Sequence, residues 1–419
     1  MLLNYEAIEP AINTPYYSAA QSHIPLTSSQ RISELDVLRG IALFGVLLGN
    51  FSEYIMSGFI ATSEQLAALT SAGHDKRLQF FIELFVTDKA NTLFSFLFGV
   101  SFSMQIQRLS KMGEGASMLY LRRLVILLAF GFLHLFFVSP WDILHMYAAL
   151  GLILFLFRES SDRTLLYSAI FFLLFGTLIY RTITSHFNIH AALENYRFYT
   201  DSAILLRQSL SSEGNYWGLV TNLANYTWRD WLLGSSGGSA FYLIGRFFFG
   251  AWVGRKGWFN DTSSHLKVYA LVCALTLPLG LSLELIVLKT NWFVEGHRVM
   301  HTIATLALSA SYVCLVILLF HWSLLRRFMQ IFSYVGRMAL TNYVLQSLII
   351  GFTYWGFLGG ANLAGRIGLS GVLFVAVTGY LGLILLSRVW LSYFAYGPLE
   401  WGWRCLTYWQ VLSIKRQHR

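Results

Sequence analysis

LDVLRGIALFGVLLGNF, residues 35–51, places an aspartate and an arginine three positions apart at the head of an apolar run. From Ile41 to Phe51 no residue is charged. Residues i and i+3 share a helix face, so Asp36 and Arg39 can pair beside the run instead of meeting lipid separately. A lone charge in hydrocarbon costs roughly 2.5–3.5 kcal/mol even on insertion scales. A pair kept there anchors, orients or reacts at the membrane face. The stretch reads as the entry of a transmembrane helix.

The rest of the chain agrees. Of 419 residues, 56% are hydrophobic and 12% charged, with mean hydropathy +0.55. Soluble domains carry about 25% charged residues, so an all-α, polytopic transmembrane helix bundle is expected. The 34 Phe, 22 Tyr and 13 Trp suit lipid-facing surface and interfacial belts. The net charge of +9 lies as bases in short loops, a positive-inside pattern, so no nucleic acid partner is expected and membrane lipid is. Cys273, Cys314 and Cys405 show neither CxxC nor metal spacing. No metal is expected. The first thirty residues lack a basic segment followed by an apolar one, which argues against a cleavable signal peptide.

With about 20 apolar residues per crossing, ten spans are expected at 37–58, 85–107, 120–138, 141–157, 164–184, 239–257, 266–288, 300–322, 331–355 and 368–390. Asp88 and Lys89 interrupt the second, and Ser139-Pro140-Trp141 makes the third and fourth a hairpin. The loop bases favour N-in and C-in, in the bacterial cytoplasmic membrane. The expected organisation is a polar cytoplasmic tail (1–34), an N-terminal five-helix half (35–184), an interfacial or extracytoplasmic connector (185–238), a C-terminal five-helix half (239–412) and a basic tail (413–419).

Ionisable groups inside spans are the default functional candidates. Asn50, Asp88, Lys89, His134, Asp142 and His145 fall at similar depth, which predicts a shared polar cavity in the outer half. Asp142 and His145, three apart, match a carboxylate orienting a general-base imidazole. An N-terminal cap explains Asp142 equally well, with His145 then merely interfacial. His134 is the alternative base. In the second half, Asn342 and Gln346 share one face and suit either substrate binding or interhelical bonding. Arg246 and Glu284 each need a partner or a watery space.

The segments LDVLRGIALFGVLLGNF, KANTLFSFLFGVSFSMQIQR (89–108), RRLVILLAFGFLHLFFVSPWDILHMYAALGLILF (122–155), GRMALTNYVLQS (336–347) and GPLEWGWRCLTY (397–408) run across nearly the whole chain. Together they resemble the YeiB-type bacterial membrane proteins, a family defined by a domain of unknown function. Through the LDxxRG helix the chain is more distantly similar to transmembrane acyltransferases such as heparan-α-glucosaminide N-acetyltransferase. That resemblance implies cytosolic acyl-CoA (acetyl-CoA) as co-substrate and a hydroxyl or amine acceptor, a small molecule or glycan, on the far side. It also implies a histidine after the first helix, where this chain offers His74, with His145 and His134 as the alternatives. There is no GxGxxG or P-loop.

The expected function is therefore membrane-embedded acyl transfer. Asp36, Arg39, Arg122, Arg123 and Arg255 would serve the acyl-CoA, His145, Asp142 and His134 the chemistry, and Asn50, Asp88, Lys89, Asn342 and Gln346 the substrate. A small-solute transporter or exporter and a non-enzymatic scaffold are the alternatives. A homo-oligomer is compatible with each.

Overall fold

The computed structural model describes residues 32–56, 59–69, 73–110, 116–186, 200–233, 235–290 and 295–416. The expected tail up to residue 31, residues 187–199 of the connector and residues 417–419 lie outside them, as do the side chains of His74 and Trp231. The helices are α1 (Ser33–Met56), α2 (Ser63–Leu69), α3 (Gly73–Phe85), α4 (Lys89–Ser110), α5 (Ala116–Phe137), α6 (Leu144–Leu156), α7 (Asp162–His186) and α8 (Asp201–Ser212). They continue as α9 (Tyr216–Leu233), α10 (Ser235–Lys256), α11 (Leu266–Lys289), α12 (Glu295–His321), α13 (Ser323–Arg337), α14 (Ala339–Trp355), α15 (Leu369–Tyr393) and α16 (Pro398–Tyr408). Among the described residues there is no strand, only one isolated bridge between Phe394 and Lys415. The expected all-helical class holds.

Burial shows where lipid belongs. α1 buries Leu38, Leu43, Leu47 and Phe51 completely, on several of its sides, as a helix apolar all round must when it forms a core. α4, α12, α13, α14 and α15 pack around it. α11 does the reverse: Val268, Leu271, Leu275, Leu279 and Ile286 face outward at helical spacing. Phe374, Val377, Leu381, Leu385 and Val389 do the same on α15. Such apolar stripes are untenable in water and suited to lipid. By length and composition, α1, α5, α11, α12 and α15 can each cross a membrane, and α7 qualifies as two segments bent by 53°.

The expected ninth span, 331–355, is corrected to two helices. α13 ends at Arg337, Met338 leaves helical geometry (φ −115°, ψ 41°), and α14 begins at Ala339. The cause is long-range. A side chain at Gly336 would collide with the Asp36 carbonyl, and one at Gly40 with the Phe332 carbonyl, so α13 lies directly against α1. The freed N–H groups of α14 are then taken up by another helix. Glu400 of α16 accepts from Leu340 N at 2.7 Å and Thr341 N at 3.1 Å. The second expected span also starts later, at Lys89, because Asp88 adopts left-handed backbone (φ 62°) and separates α3 from α4.

Candidate functional site

A cavity of about 290 Å³ opens at the end of the bundle where α1 begins, between the end of α4, the starts of α5 and α14, and α16. Leu97, Phe98, Leu124 and Leu127 give it apolar walls; Arg39, Arg108, Arg123, Arg337 and Arg404 line it with only Asp36 and Glu400 as acids. An excess of one charge over low-dielectric walls concentrates ligands of the opposite sign. The expected ion pair forms: Arg39 Nη1 donates to Asp36 at 2.8 Å, while Nη2 reaches Ser101 of α4 at 2.6 Å. Burial pushes the Glu400 carboxyl above its usual range, against the hydrogen bonds from Thr341 and Leu340 that favour its ionised form.

Not every expected arginine lies here. Arg123 stacks its guanidinium on Trp403, 4.0 Å from the ring centre, and lines the cavity. Arg122 instead donates to the Thr407 carbonyl at 3.2 Å. Arg255 caps the end of α6 through the carbonyls of Ser160 and Arg158. Both tie helices together, outside the cavity lining. Arg108, Arg337 and Arg404, which sequence reasoning left to topology or passed over, take their places.

The turn between α5 and α6 assembles the histidines. Asp142 Oδ1 lies 2.8 Å from His134 Nδ1, and Oδ2 lies 2.7 Å from His145 Nδ1 and 2.8 Å from the His145 backbone N. Asp142 therefore accepts a free N–H at the start of α6 and holds an imidazole at once, and His145, merely interfacial under the cap reading, is buried. Tyr343 donates its hydroxyl to Asp142 Oδ1 at 3.1 Å. An ionised carboxylate only accepts, so each Nδ1 carries a proton, and an imidazole in its neutral form keeps its lone pair on Nε2. Both rings are buried. Tyr343 bridges them to the cavity, since it lines the wall together with Ile143 and Leu144. Within GRMALTNY no local signal marks Tyr343, because its partner is 201 residues away.

This hairpin depends on Gly131. A Cβ there would fall on the backbone of His145. Gly131→Ala is expected to lower stability by about 1–3 kcal/mol, the usual cost of overpacking. An exposed helical Gly→Ala would instead gain roughly 0.5–1 kcal/mol. Thermal unfolding of the purified variant decides the sign.

The expected single outer cavity is corrected to separate clusters. Lys89 and Glu284 are both fully buried and pair at 2.5 Å. His301 joins them, its Nδ1 3.0 Å from Glu284 and its Nε2 3.0 Å from Asp88. Sequence reasoning missed His301, although it opens an expected span and an ionisable group there was signal enough. Asn50 belongs to neither cluster. Asn342 bonds Ser387 at 2.9 Å and the Val335 carbonyl, and Gln346 donates to the Leu43 carbonyl at 3.1 Å; both join helices.

A second cavity, about 380 Å³, lies at the opposite helix ends, lined by Phe137, Val138, Tyr216, Leu219, Trp355 and Phe357 among others. Phe137 and Val138 stand within one turn of His134, so the histidine cluster sits between two openings.

A family model described as "Protein of unknown function (DUF418)" matches residues 253–410. The uncharacterized protein YxaH of Bacillus subtilis is 30% identical over 409 residues, covering 93% of this chain and 98% of that relative. The chain belongs to the DUF418 family. The uncharacterized YeiB of Escherichia coli is 29% identical over 397 residues, 90% of this chain and 96% of its own length. An uncharacterized 39.9 kDa protein from the amylase 3′ region of Bacillus acidopullulyticus is 29% identical over 389 residues, 92% of this chain and 96% of its own. The expected membership of the YeiB-type family holds, and the names of these three relatives state no activity. The family model takes in α13, α14 and α16, hence Tyr343, Glu400 and one side of the basic cavity. α1, α5 and α6 precede the matched segment, and the full-length relatives extend over them.

Proposed function

We propose that this family member is a membrane-embedded acyltransferase that carries an acyl group from acyl-CoA to a hydroxyl or amine acceptor on the other side of the bacterial cytoplasmic membrane. The observation that carries this reading is the His134–Asp142–His145 cluster standing between a cation-lined cavity and a second cavity at the opposite helix ends. The arginines of the first suit an anionic donor arriving from the cytosol. Its apolar walls suit the thioester end of that donor. An imidazole Nε2 takes the acceptor's proton as its oxygen or nitrogen attacks the thioester carbonyl; the coenzyme thiolate leaves and takes up a proton. Asp142 holds the tautomer, Tyr343 links the cluster to the cavity wall, and Asp36 with Arg39 braces the rim.

The reading includes ten crossings, N-in and C-in, with α13 and α16 lying at the cytosolic face. The placing of helix starts and ends supports it in part: the first cavity collects the starts of α1, α5 and α14 and the end of α4, together with the start of α6, and the second the ends of α5 and α14. Protein purified in lipid nanodiscs should bind labelled acetyl-CoA and hydrolyse it slowly. His145→Ala should retain binding and lose hydrolysis. Neither binding nor hydrolysis in the wild type would sink the proposal. A proton-coupled solute transporter is the second reading, favoured by the buried Lys89–Glu284–His301 network. Solute flux driven by an imposed pH gradient in proteoliposomes, without acyl-CoA binding, would select it.

A further inference from the structure

Arg246, midway along α10, is 2% exposed. Its guanidinium lies over the Tyr242 ring, 3.4 Å from the centre. Neither Nε nor Nη2 has a hydrogen-bond acceptor, and no carboxylate forms an ion pair with it among the described residues. A buried cation without an anion is costly, because its lost hydration is repaid by nothing.

The groups acting on Arg246 are Tyr242 on its own helix, Asp88 at the start of α4 and Tyr147 on α6. Asp88 does not neutralise it. Both ring nitrogens of His301 face carboxylate oxygens, at 3.0 Å from Asp88 and 3.0 Å from Glu284. Carboxylates only accept, so two protons must lie in those two bonds. With Lys89 beside Glu284, these four groups bond among themselves, and none of them gives Arg246 a hydrogen-bond acceptor at Nε or Nη2.

We propose that Arg246 is the anchor of an internal binding site for a small monocarboxylate. The two unfilled donors, Nε and Nη2, form one edge of the guanidinium, the edge whose parallel N–H bonds match both oxygens of a carboxylate. The ring beneath and the nearby Asp88 disfavour a dianion and suit a single charge. Tyr147, which lines the basic cavity and bonds Ser95 at 2.7 Å, is also near enough to act on Arg246. The site is independent of acyl transfer and needs no turnover to be seen.

The test is thermal unfolding of the full-length protein in nanodiscs, titrated with sodium acetate, lactate or phosphate against sodium chloride at equal ionic strength. The wild type should show saturable stabilisation by acetate or lactate. Arg246→Met should be as stable as the wild type or more so without added anion, and should lose the response. Arg246→Lys, a point charge without the fork, should bind about 30-fold more weakly, a loss typical of a disrupted buried charge pair. No carboxylate response beyond chloride, a response retained in Arg246→Met, or a preference for phosphate would overturn the proposal. Unfolding of Arg246→Met in anion-free buffer would overturn it too, by showing the cation to be structural.

Discussion

Lys89→Met is expected to destabilise the protein by about 3–5 kcal/mol, the cost of removing one partner of a buried ion pair. Lys89 and Glu284 are both fully buried and lie 195 residues apart in sequence. The ammonium also donates to the Glu83 carbonyl at 2.7 Å, so α3, α4 and α11 all meet at this one group. Without it, the His301 ring is the hydrogen-bonded partner left to the Glu284 carboxylate among the described residues, in a medium that solvates no anion. Glu284→Met should cost a similar amount by stranding the ammonium. The double variant Lys89→Met/Glu284→Met should lose much less than the two singles summed, because apolar replacement of a whole buried pair is often nearly neutral. Equilibrium unfolding in mixed micelles measures all four corners of the cycle. Additive losses would show that the pair is not coupled.

Under the proposed function, Asp142→Asn is expected to reduce acyl transfer by about 10²–10⁴-fold, the range of a lost general base, while acyl-CoA binding stays as in the wild type. The carboxylate accepts from both imidazoles, from the His145 backbone and from Tyr343. An amide offers one oxygen, and its NH₂ donates where the second had accepted. At least one imidazole must then turn or move its proton to Nε2, the atom that should carry the lone pair. Nitrogen-15 spectra of labelled histidine read that tautomer change directly and need no substrate. An unchanged tautomer with unchanged turnover would remove Asp142 from the chemistry. Tyr343→Phe should be milder, since it takes one donor from Asp142 and leaves both imidazoles in place.

These two sites differ in how far they could be read from residues alone. The Asp36–Arg39 pair and the Asp142–His145 contact lie within one helical turn, so spacing sufficed to pair them. His134 is eight residues from Asp142 and is brought to it by the tight turn at Ser139-Pro140-Trp141, which was also legible. Lys89 and Glu284 stand out singly as charges in apolar surroundings, whereas His301 passed unread. Nothing local paired them, because their partners come from three helices. Arg246 called for a partner on the same grounds, and only the assembled bundle shows that the edge Nε–Nη2 has none among the described residues.

The sequence by itself determined the class: apolar runs of helical length, few charges, and bases gathered in loops admit a membrane bundle and little else. The reason is solvent, since backbone groups in lipid must bond within their own segment, and composition alone reports which solvent a chain can tolerate. Tertiary structure decided where that uniform apolar text is interrupted. The break at Met338 exists because Gly336 rests on the Asp36 carbonyl and Glu400 supplies the missing cap. The two cavities exist because helix ends remote in sequence converge without filling the space between them. Hydrophobicity has no direction and specifies no partner, whereas close packing and hydrogen bonds are specific to the pairs that make them.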